Sequence, residues 1–206
     1  PRFARADILS RAADILVRRK EEVARMIAAE AGKPLYDARG EVSRSIFNLK
    51  NAAEEARRFS GIEVPLDMDA GVFEYQTTSS DGTSLDLSDA AFETLNTARR
   101  RIGIARRFPI GPILAISPFN FPLNLVLHKV APAIAVGNPV ILKPAPQTPL
   151  TSLLLGEIFN EAGLPSGALS IVHCSVELAE RMVKDDRFAM VTFTGSPKVG
   201  WHIKSI

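Results

Sequence analysis

The chain has 206 residues, of which 46% are hydrophobic and 23% are charged, and its formal net charge is +2. This composition is typical of a globular protein with one sizeable domain, and it argues against disorder of the whole chain. The small net charge gives little reason to expect nucleic acid or an anionic membrane as a partner.

Cysteine usage and the first residues indicate where the protein works. The single cysteine, Cys174, excludes an internal disulfide, and no charged region followed by an apolar one opens the chain as in a signal peptide. We therefore expect a reducing, cytoplasmic location. Because the chain begins with Pro1 and a helical pattern starts almost at once, we expect either processing or an excised fragment, and we favour the fragment.

The first part of the chain, residues 1–66, is predicted to contain a helical pair. Apolar residues recur at helical spacing from about Ala6 to Ala31, and Gly32 with the proline two residues later supplies a stop. A second helix is predicted from about Tyr36 to Phe59, because its apolar residues form a stripe at the same spacing.

The second part, residues 67–105, is interpreted as a polar insertion and lead-in. Thr77–Ser84 is turn-rich and has no sustained period, which indicates a surface excursion. Tyr75 and Ser88–Leu95 are candidates for a strand and a short helix within it.

Arginines cluster at Arg99–Arg101 and Arg106–Arg107. We favour a strand edge that is protected by charge. A basic patch for phosphate or nucleic acid is the alternative.

The third part, residues 106–206, alternates short apolar runs of strand length with helical stretches. Strands are predicted at Ile113–Ile116, Val140–Lys143, Leu169–Val172 and Met190–Phe193, and helices at about Leu123–Val136, Pro149–Ala162 and Val176–Val183. Gly137 and Gly163 stand where helix ends are needed. Repeated βα units predict an α/β fold with a Rossmann-like parallel sheet and helices on both faces. Ligands bind such sheets beyond the carboxyl ends of the strands.

The apolar stretch Phe108–Leu142 is not a membrane span. Six prolines interrupt it, and it contains several polar residues, so no uninterrupted apolar helix of roughly 20 residues can form.

The first strand is followed by Ser117–Pro122, a loop that contains two prolines and displays Asn120 between two phenylalanines. An amide N–H that is fixed in a dry site can stabilise a developing oxyanion. The alternative is that Asn120 merely caps the helix that begins near Leu123. Both interpretations are open from this segment alone.

The second strand ends at Lys143, which is followed by the proline-stiffened turn Pro144–Pro149. A lysine at this place provides one fixed cation near a ribose or a phosphate. The alternative is a surface lysine whose head group reaches into water.

The third and fourth strand ends differ in what they offer. Cys174 follows the third strand, and a lone cysteine is more often a small buried apolar residue than a nucleophile. Phe193–Gly200 follows the fourth strand, where Ser196 can cap a helix whose free N–H groups suit a phosphate. The alternative there is an ordinary capped turn. The three histidines of the chain show no paired ligand spacing, so no metal site is predicted.

Taken in order, these strand-end segments resemble the cofactor half of the aldehyde dehydrogenase superfamily, and the resemblance spans most of the chain apart from the excursion at 77–97. It implies an NAD- or NADP-dependent oxidation of an aldehyde to a carboxylate, with Asn120 as the oxyanion donor. The implied cofactor contacts are Ile116, Ser117, Pro118, Phe119, Lys143, Pro144, Ala145, Pro146, Phe193, Thr194, Gly195, Ser196 and Gly200.

The resemblance also implies what to expect of the whole enzyme. The nucleophilic cysteine and the general-base glutamate of the family follow the Phe193–Ser196 motif, so we expect the catalytic domain to be absent and the 206-residue chain to be inactive alone. Many NAD-preferring members have a glutamate where this chain has Pro146, which makes NADP more plausible. A small-molecule aldehyde substrate and a homo-oligomeric parent enzyme are implied as well.

Two alternatives to this function stay open at this point. The chain is then either a stand-alone dinucleotide-binding or interaction module without activity, or part of an acylating or phosphate-reducing relative that shares this half.

Overall fold

The computed structural model describes residues 1–64 and 103–206. The predicted surface excursion, including Tyr75 and Ser88–Leu95, and the cluster Arg99–Arg101 lie outside the described residues. Two compact units are present: one consists of residues 1–59 and 108–206, and the other of residues 60–107. Within the described residues no helix is long and apolar enough to cross a membrane.

Three helices come first, and from β3 onward strands and helices alternate. The helices are α1 (Arg2–Arg18), α2 (Lys20–Ala31), α3 (Leu35–Arg58), α4 (Asn124–Val136), α5 (Leu150–Glu161), α6 (Val176–Val183) and α7 (Pro197–Ser205). The strands are β1 (Ile62–Val64), β2 (Gly103–Ala105), β3 (Ile113–Ile116), β4 (Val140–Lys143), β5 (Leu169–Ile171) and β6 (Met190–Phe193). The predicted α/β class is confirmed, and three of the four predicted strands have the predicted bounds.

The prediction of one helix from Ala6 to Ala31 is wrong, because the chain breaks at Arg19 and continues as α2. Arg19 has φ −94° and ψ 14°, outside the helical region. No glycine or proline marks this break in the sequence. Gly32, with φ 65°, does end α2 as predicted.

The four-stranded sheet of the first unit is parallel and has the order β5-β4-β3-β6. The chain therefore adds strands in one direction from β3 to β5 and then returns to the other side of β3. Right-handed crossovers place α4 and α5 on one face of the sheet and α6 on the other. The order reverses between β3 and β6, where Ile116 pairs with Phe193. Such a reversal opens a crevice at the carboxyl ends of the two strands.

The core lies between one face of this sheet and the helices α1 to α5. Ala115 of β3 and Leu142 of β4 belong to this core together with Leu16, Leu49 and Leu127, and all five are fully buried. Alternation along the strands turns the side chains at the intervening positions to the opposite face.

Charged side chains from α1, α2 and α3 lie at both ends of α4 and α5. Glu41 accepts hydrogen bonds at the N-terminus of α4, and Glu30 does so at the N-terminus of α5. Arg5 Nε donates to Ala135 O near the end of α4 (2.9 Å), and Arg11 Nε donates to Ala162 O at the end of α5 (2.8 Å). Each charge complements the dipole of the helix end that it contacts.

In the second unit, β1 pairs with β2 as an antiparallel ribbon, with Glu63 opposite Ile104. The strand β2 ends directly before Arg106 and Arg107, and the strand edge favoured above stays a prediction. The strand β1 was not predicted, because three residues are too few to show a period.

Candidate functional site

A cavity of about 440 Å³ lies at the carboxyl ends of the parallel strands. Ile116, Lys143 and Phe193 line it, and these are the last residues of β3, β4 and β6. The remaining walls come from α6 and α7 and are largely apolar, with Val176, Ala179 and Val183 from α6, and Val199 and Ile203 from α7. We call it the strand-end cavity. It occupies the place where the strand order reverses.

Lys143 is buried at the rim of the strand-end cavity, with 7% of its surface exposed. It is therefore not a lysine that extends from the surface into water. Its Nζ lies 3.4 Å from Pro144 O. Pro144 and Ala145 are buried and Pro146 is exposed, and Thr148 N–H donates to Ala145 O (3.1 Å) to close the turn. The backbone thus holds one cation at a defined place beside the cavity.

The N-terminus of α7 borders the same cavity. Ser196 caps this helix, and its Oγ accepts a hydrogen bond from Val199 N–H (3.4 Å). A side chain at Gly195 would overlap the ring of Phe193, and one at Gly200 would touch it at 3.4 Å. Both glycines therefore make room for the Phe193 ring, which lines the cavity.

The loop between β3 and α4 leaves the side chain of Asn120 exposed. Ser117 is buried and donates its N–H to Lys143 O (3.3 Å), whereas Phe119 and Asn120 are exposed. The N–H groups of Leu123 and Asn124 are bound by Glu41 Oε1 at 2.9 and 3.0 Å. The cap of α4 is thus Glu41, and the alternative that Asn120 caps this helix is not observed.

An ion pair between the partly buried Lys33 and the fully buried Glu41 holds the backbone of this loop. Lys33 Nζ donates to Glu41 Oε2 (2.7 Å) and to Asn120 O (2.6 Å). It also lies 4.3 Å from the centroid of the Phe121 ring. Glu41 is fully buried, so its charge is balanced by Lys33 and by the two N–H groups of α4. The sequence analysis did not single out either residue.

A second depression, of about 560 Å³, lies at the end of this loop. Asn120 and Phe121 line it together with four cationic side chains from α2, α3 and the turn between them: Lys20, Lys33, Arg39 and Arg44. We call it the basic groove. One short loop thus connects the strand-end cavity at Ile116 with the basic groove at Asn120.

Lys129 is a further functional candidate that the sequence analysis did not select. It is buried on α4, and its Nζ donates to Thr194 Oγ1, directly after β6, and to Leu125 O (3.4 Å). Burial lowers the pKa of this amine. The available signal was a lysine among the apolar residues of a buried helix.

Cys174 does not join the other candidates. It is half-buried in the turn after β5 and lines neither the strand-end cavity nor the basic groove. His202 lies at the strand-end cavity instead, where its Nε2 is 2.7 Å from Glu180 Oε1 and links α7 to α6.

Comparison with known proteins gives consistent results. The model of the aldehyde dehydrogenase family matches residues 1–206. A 3-sulfolactaldehyde dehydrogenase of Priestia aryabhattai is 38% identical over 204 residues, which is 98% of this chain and 37% of that protein.

Two solved structures superpose on the whole chain. Aldehyde dehydrogenase 21 from Physcomitrella patens, in complex with the reaction product succinate, has a TM-score of 0.81 and 43% identity, and 37% of it is covered. The NADP-dependent glyceraldehyde-3-phosphate dehydrogenase from Bacillus halodurans C-125, complexed with NADP, has a TM-score of 0.82 and 33% identity, and 38% of it is covered. The chain therefore spans less than two fifths of these relatives.

Proposed function

The chain belongs to the aldehyde dehydrogenase family, and on this basis we propose that it supplies the NAD(P)-binding part and the oxyanion-hole asparagine of an enzyme that oxidises an aldehyde to a carboxylate. The observation that carries this proposal is the loop from Ile116 to Phe121, whose two ends line two different cavities. Hydride transfer requires that the cofactor and the substrate are held next to each other. A loop that lines two cavities can contact both molecules.

The strand-end cavity suits a dinucleotide in shape and chemistry. Its largely apolar walls on α6 and α7 can enclose a flat base, Lys143 offers a fixed cation to ribose or phosphate oxygens, and the N-terminus of α7 offers N–H groups to a phosphate. Bound there, the cofactor would accept the hydride of the aldehyde. The other predicted contacts belong to the segments Ile116–Phe119 and Phe193–Gly200. The first residue of each segment lines this cavity.

Asn120 is proposed to donate a hydrogen bond from its side-chain amide to the substrate oxygen. Its amide is exposed and no bond to another described residue ties it down. Lys33 holds its backbone carbonyl, so the side chain projects from a fixed point. A donor that is oriented in advance stabilises developing negative charge without reorganisation.

The thiolate and the base that this reaction needs are proposed to come from the remainder of the enzyme. Cys174 is the only cysteine of the chain and lies away from the groove that contains Asn120. We therefore expect no aldehyde oxidation by the 206-residue chain alone. Cysteine-dependent turnover by this purified chain would contradict the proposal.

For the cofactor, we propose a preference for NADP. Pro146 is exposed three residues after Lys143, and it carries no carboxylate that would bind a ribose 2′-hydroxyl or repel a 2′-phosphate. The relative from Bacillus halodurans is NADP-dependent.

For the substrate, the names of the relatives favour an aldehyde with an acidic group. One relative acts on 3-sulfolactaldehyde, another is a glyceraldehyde-3-phosphate dehydrogenase, and the third was solved with succinate as its product. Sulfonate, phosphate and carboxylate share a negative charge and several acceptor oxygens, so we propose an acidic aldehyde here.

A stand-alone dinucleotide-binding module is the second candidate function. It is favoured by the strand-end cavity, where Lys143 and the N-terminus of α7 offer contacts to a dinucleotide. Both functions require cofactor binding, and only the first requires a turnover by the full-length protein.

Calorimetric titration with NADP and NAD, combined with kinetics of the full-length enzyme, tests the proposed roles of Lys143 in cofactor binding and of Asn120 in the reaction. We expect Lys143→Ala to weaken cofactor binding by about 10- to 100-fold, because a charge-assisted contact is lost. Asn120→Ala is expected to leave cofactor affinity unchanged and to lower kcat by about 100- to 1,000-fold. Lys184→Ala, at the exposed end of α6, serves as the control. Unchanged NADP affinity in Lys143→Ala would refute the assigned role of Lys143.

A further inference from the structure

The strand-end cavity contains a polar pair on walls that are largely apolar. Glu180 of α6 and His202 of α7 both line it. On α6, Val176 stands four positions before Glu180 and Val183 three positions after it, and on α7, Val199 stands three positions before His202. Residues at these spacings share one face of a helix. The two polar side chains therefore belong to the same walls as the apolar residues that can enclose a flat base.

The pair leaves part of the Glu180 carboxylate available to a ligand. His202 Nε2 lies 2.7 Å from Glu180 Oε1. A carboxylate oxygen accepts hydrogen bonds, so the imidazole donates in this contact and holds the carboxylate in one orientation. Among the residues that the structure describes, no second donor contacts this carboxylate, and the Glu180 side chain is 39% exposed. An oriented acceptor with unused capacity thus lies in the cavity wall.

The charged groups of the cavity suit different parts of a dinucleotide. Lys143 and Lys198 are cations, and cations bind ribose and phosphate oxygens. Of the described residues that line the cavity, only Glu180 carries a carboxylate. A carboxylate repels a phosphate and accepts a hydrogen bond from an N–H group, so it selects the base rather than the phosphates. Adenine offers such a group, because its edge carries an exocyclic amine.

We propose that Glu180 recognises the exocyclic amine of the adenine base of NAD(P), and that His202 is a positioning residue that holds the carboxylate for this contact. The contact adds selectivity for the base to the cation at Lys143 and to the helix end at Ser196. The inference rests on the proposed function and extends it, because the proposed function gives the base only an apolar enclosure.

Calorimetric titration of the full-length protein with two matched cofactors tests this assignment. The first is NADP, and the second is its analogue in which hydrogen replaces the exocyclic amine of the base. We expect the wild type to bind NADP about tenfold more tightly than the analogue, because the analogue lacks the donor to a charged acceptor. The same ratio is expected for NAD and its matched analogue, so the test does not depend on the preference for NADP.

Variants of the pair show whether this selectivity comes from Glu180. Glu180→Ala should weaken the binding of NADP about tenfold and change that of the analogue by less than about threefold, so that the two affinities converge. Glu180→Gln should keep part of the selectivity, because its amide oxygen still accepts a hydrogen bond. His202→Ala should reduce the selectivity and leave the affinity for the analogue unchanged.

Glu177→Ala is the matched control, since Glu177 lies on the same helix, is exposed and does not line the cavity. It should leave both affinities unchanged. Equal losses for NADP and the analogue in Glu180→Ala would overturn the proposal, because they would indicate that the pair only joins α6 to α7. Equal affinities of the wild type for the two cofactors would overturn it as well.

The titration also separates this inference from the proposed reaction, because binding needs no turnover. Selective binding that depends on Glu180, in a protein that oxidises no aldehyde, would support the inference and reject only the reaction. Aldehyde oxidation without selectivity for the base would reject the inference and leave the reaction standing. If the wild type bound no dinucleotide at all, both the inference and the proposed cofactor role of the strand-end cavity would be rejected.

Discussion

At the scale of single residues, the buried ionisable side chains of Glu41 and Lys129 differ in whether a counter-charge lies beside them. Glu41 has no exposed surface, and Lys33 together with two backbone N–H groups satisfies it. Lys129 is also buried, but its contacts are a hydroxyl of Thr194 and a backbone carbonyl, both of which are uncharged. Burial without a counter-charge favours the neutral amine, which is why its pKa is lowered.

This lowered pKa predicts how stability depends on pH. The unfolded chain binds more protons than the folded chain between the folded-state pKa of Lys129 and the ordinary value for lysine, so the free energy of unfolding rises with pH through that window. We expect Lys129→Met to lose this component. Urea unfolding of both proteins from about pH 7 to pH 11 measures it. Lys50→Met, an exposed position of α3, is the control, and parallel pH curves for wild type and Lys129→Met would contradict the assignment.

At the scale of elements, α4 and α5 depend on the N-terminal helices for their ends. Neither helix has a capping side chain of its own at its first residues. Glu41 and Glu30 supply these caps from α3 and α2, and Arg5 and Arg11 of α1 bind carbonyls at the opposite ends. Each free N–H or carbonyl at a helix end needs such a partner, so these contacts couple the helical part to the sheet.

A matched pair of variants separates capping from positioning. Glu30→Ala and Glu41→Ala each remove a cap, and we expect each to lower the free energy of unfolding by about 1–3 kcal/mol. Only Glu41 also holds Lys33, which binds Asn120 O. Glu41→Ala should therefore lower kcat of the full-length enzyme in addition, while Glu30→Ala should not. Equal kcat values, measured where both variants are folded, would show that Glu41 has no part in positioning Asn120.

At the scale of the whole molecule, the first unit is built around one core rather than two adjacent ones. Leu9 and Leu16 of α1 and Leu49 of α3 are buried in the same cluster as Leu127 of α4 and Leu142 of β4. The face of the sheet that α4 and α5 cover thus shares one hydrophobic core with α1 and α3. We expect the helical part and the βα units to unfold together.

Two neighbouring positions on α1 test this cooperativity. Leu16 is fully buried and Val17 is 48% exposed. Leu16→Ala should lower the free energy of unfolding by about 2–5 kcal/mol, whereas Val17→Ala should change it by less than about 0.5 kcal/mol. Trp201 is the only tryptophan of the chain and lies on α7, which His202 links to Glu180 of α6, so its fluorescence reports on a helix outside the buried core. Fluorescence and circular dichroism should give the same midpoint for Leu16→Ala; separate midpoints would indicate independent cores.

The amino-acid pattern was sufficient to predict the strands of the parallel sheet and the loops at their carboxyl ends. Apolar runs of strand length, and glycines such as Gly137 at helix ends, are local signals, so the bounds of β3, β4 and β6 could be read directly. The same pattern located Asn120, Lys143 and Ser196 at strand ends, where α/β sheets bind their ligands. Their roles remain predictions that the experiments above address.

Only the tertiary structure shows which charged side chains are buried or form contacts with distant parts of the chain. In the sequence, Glu41, Lys33 and Arg44 are charged residues of a helical pair, and nothing local distinguishes them from a solvated face. Their partners, Leu123, Asn120 and Phe121, lie more than 70 positions away along the chain. The break at Arg19 is of the same kind, since it has no glycine or proline signal. Local periodicity determines elements, whereas burial and ion pairing depend on contacts that exist only after the chain has folded.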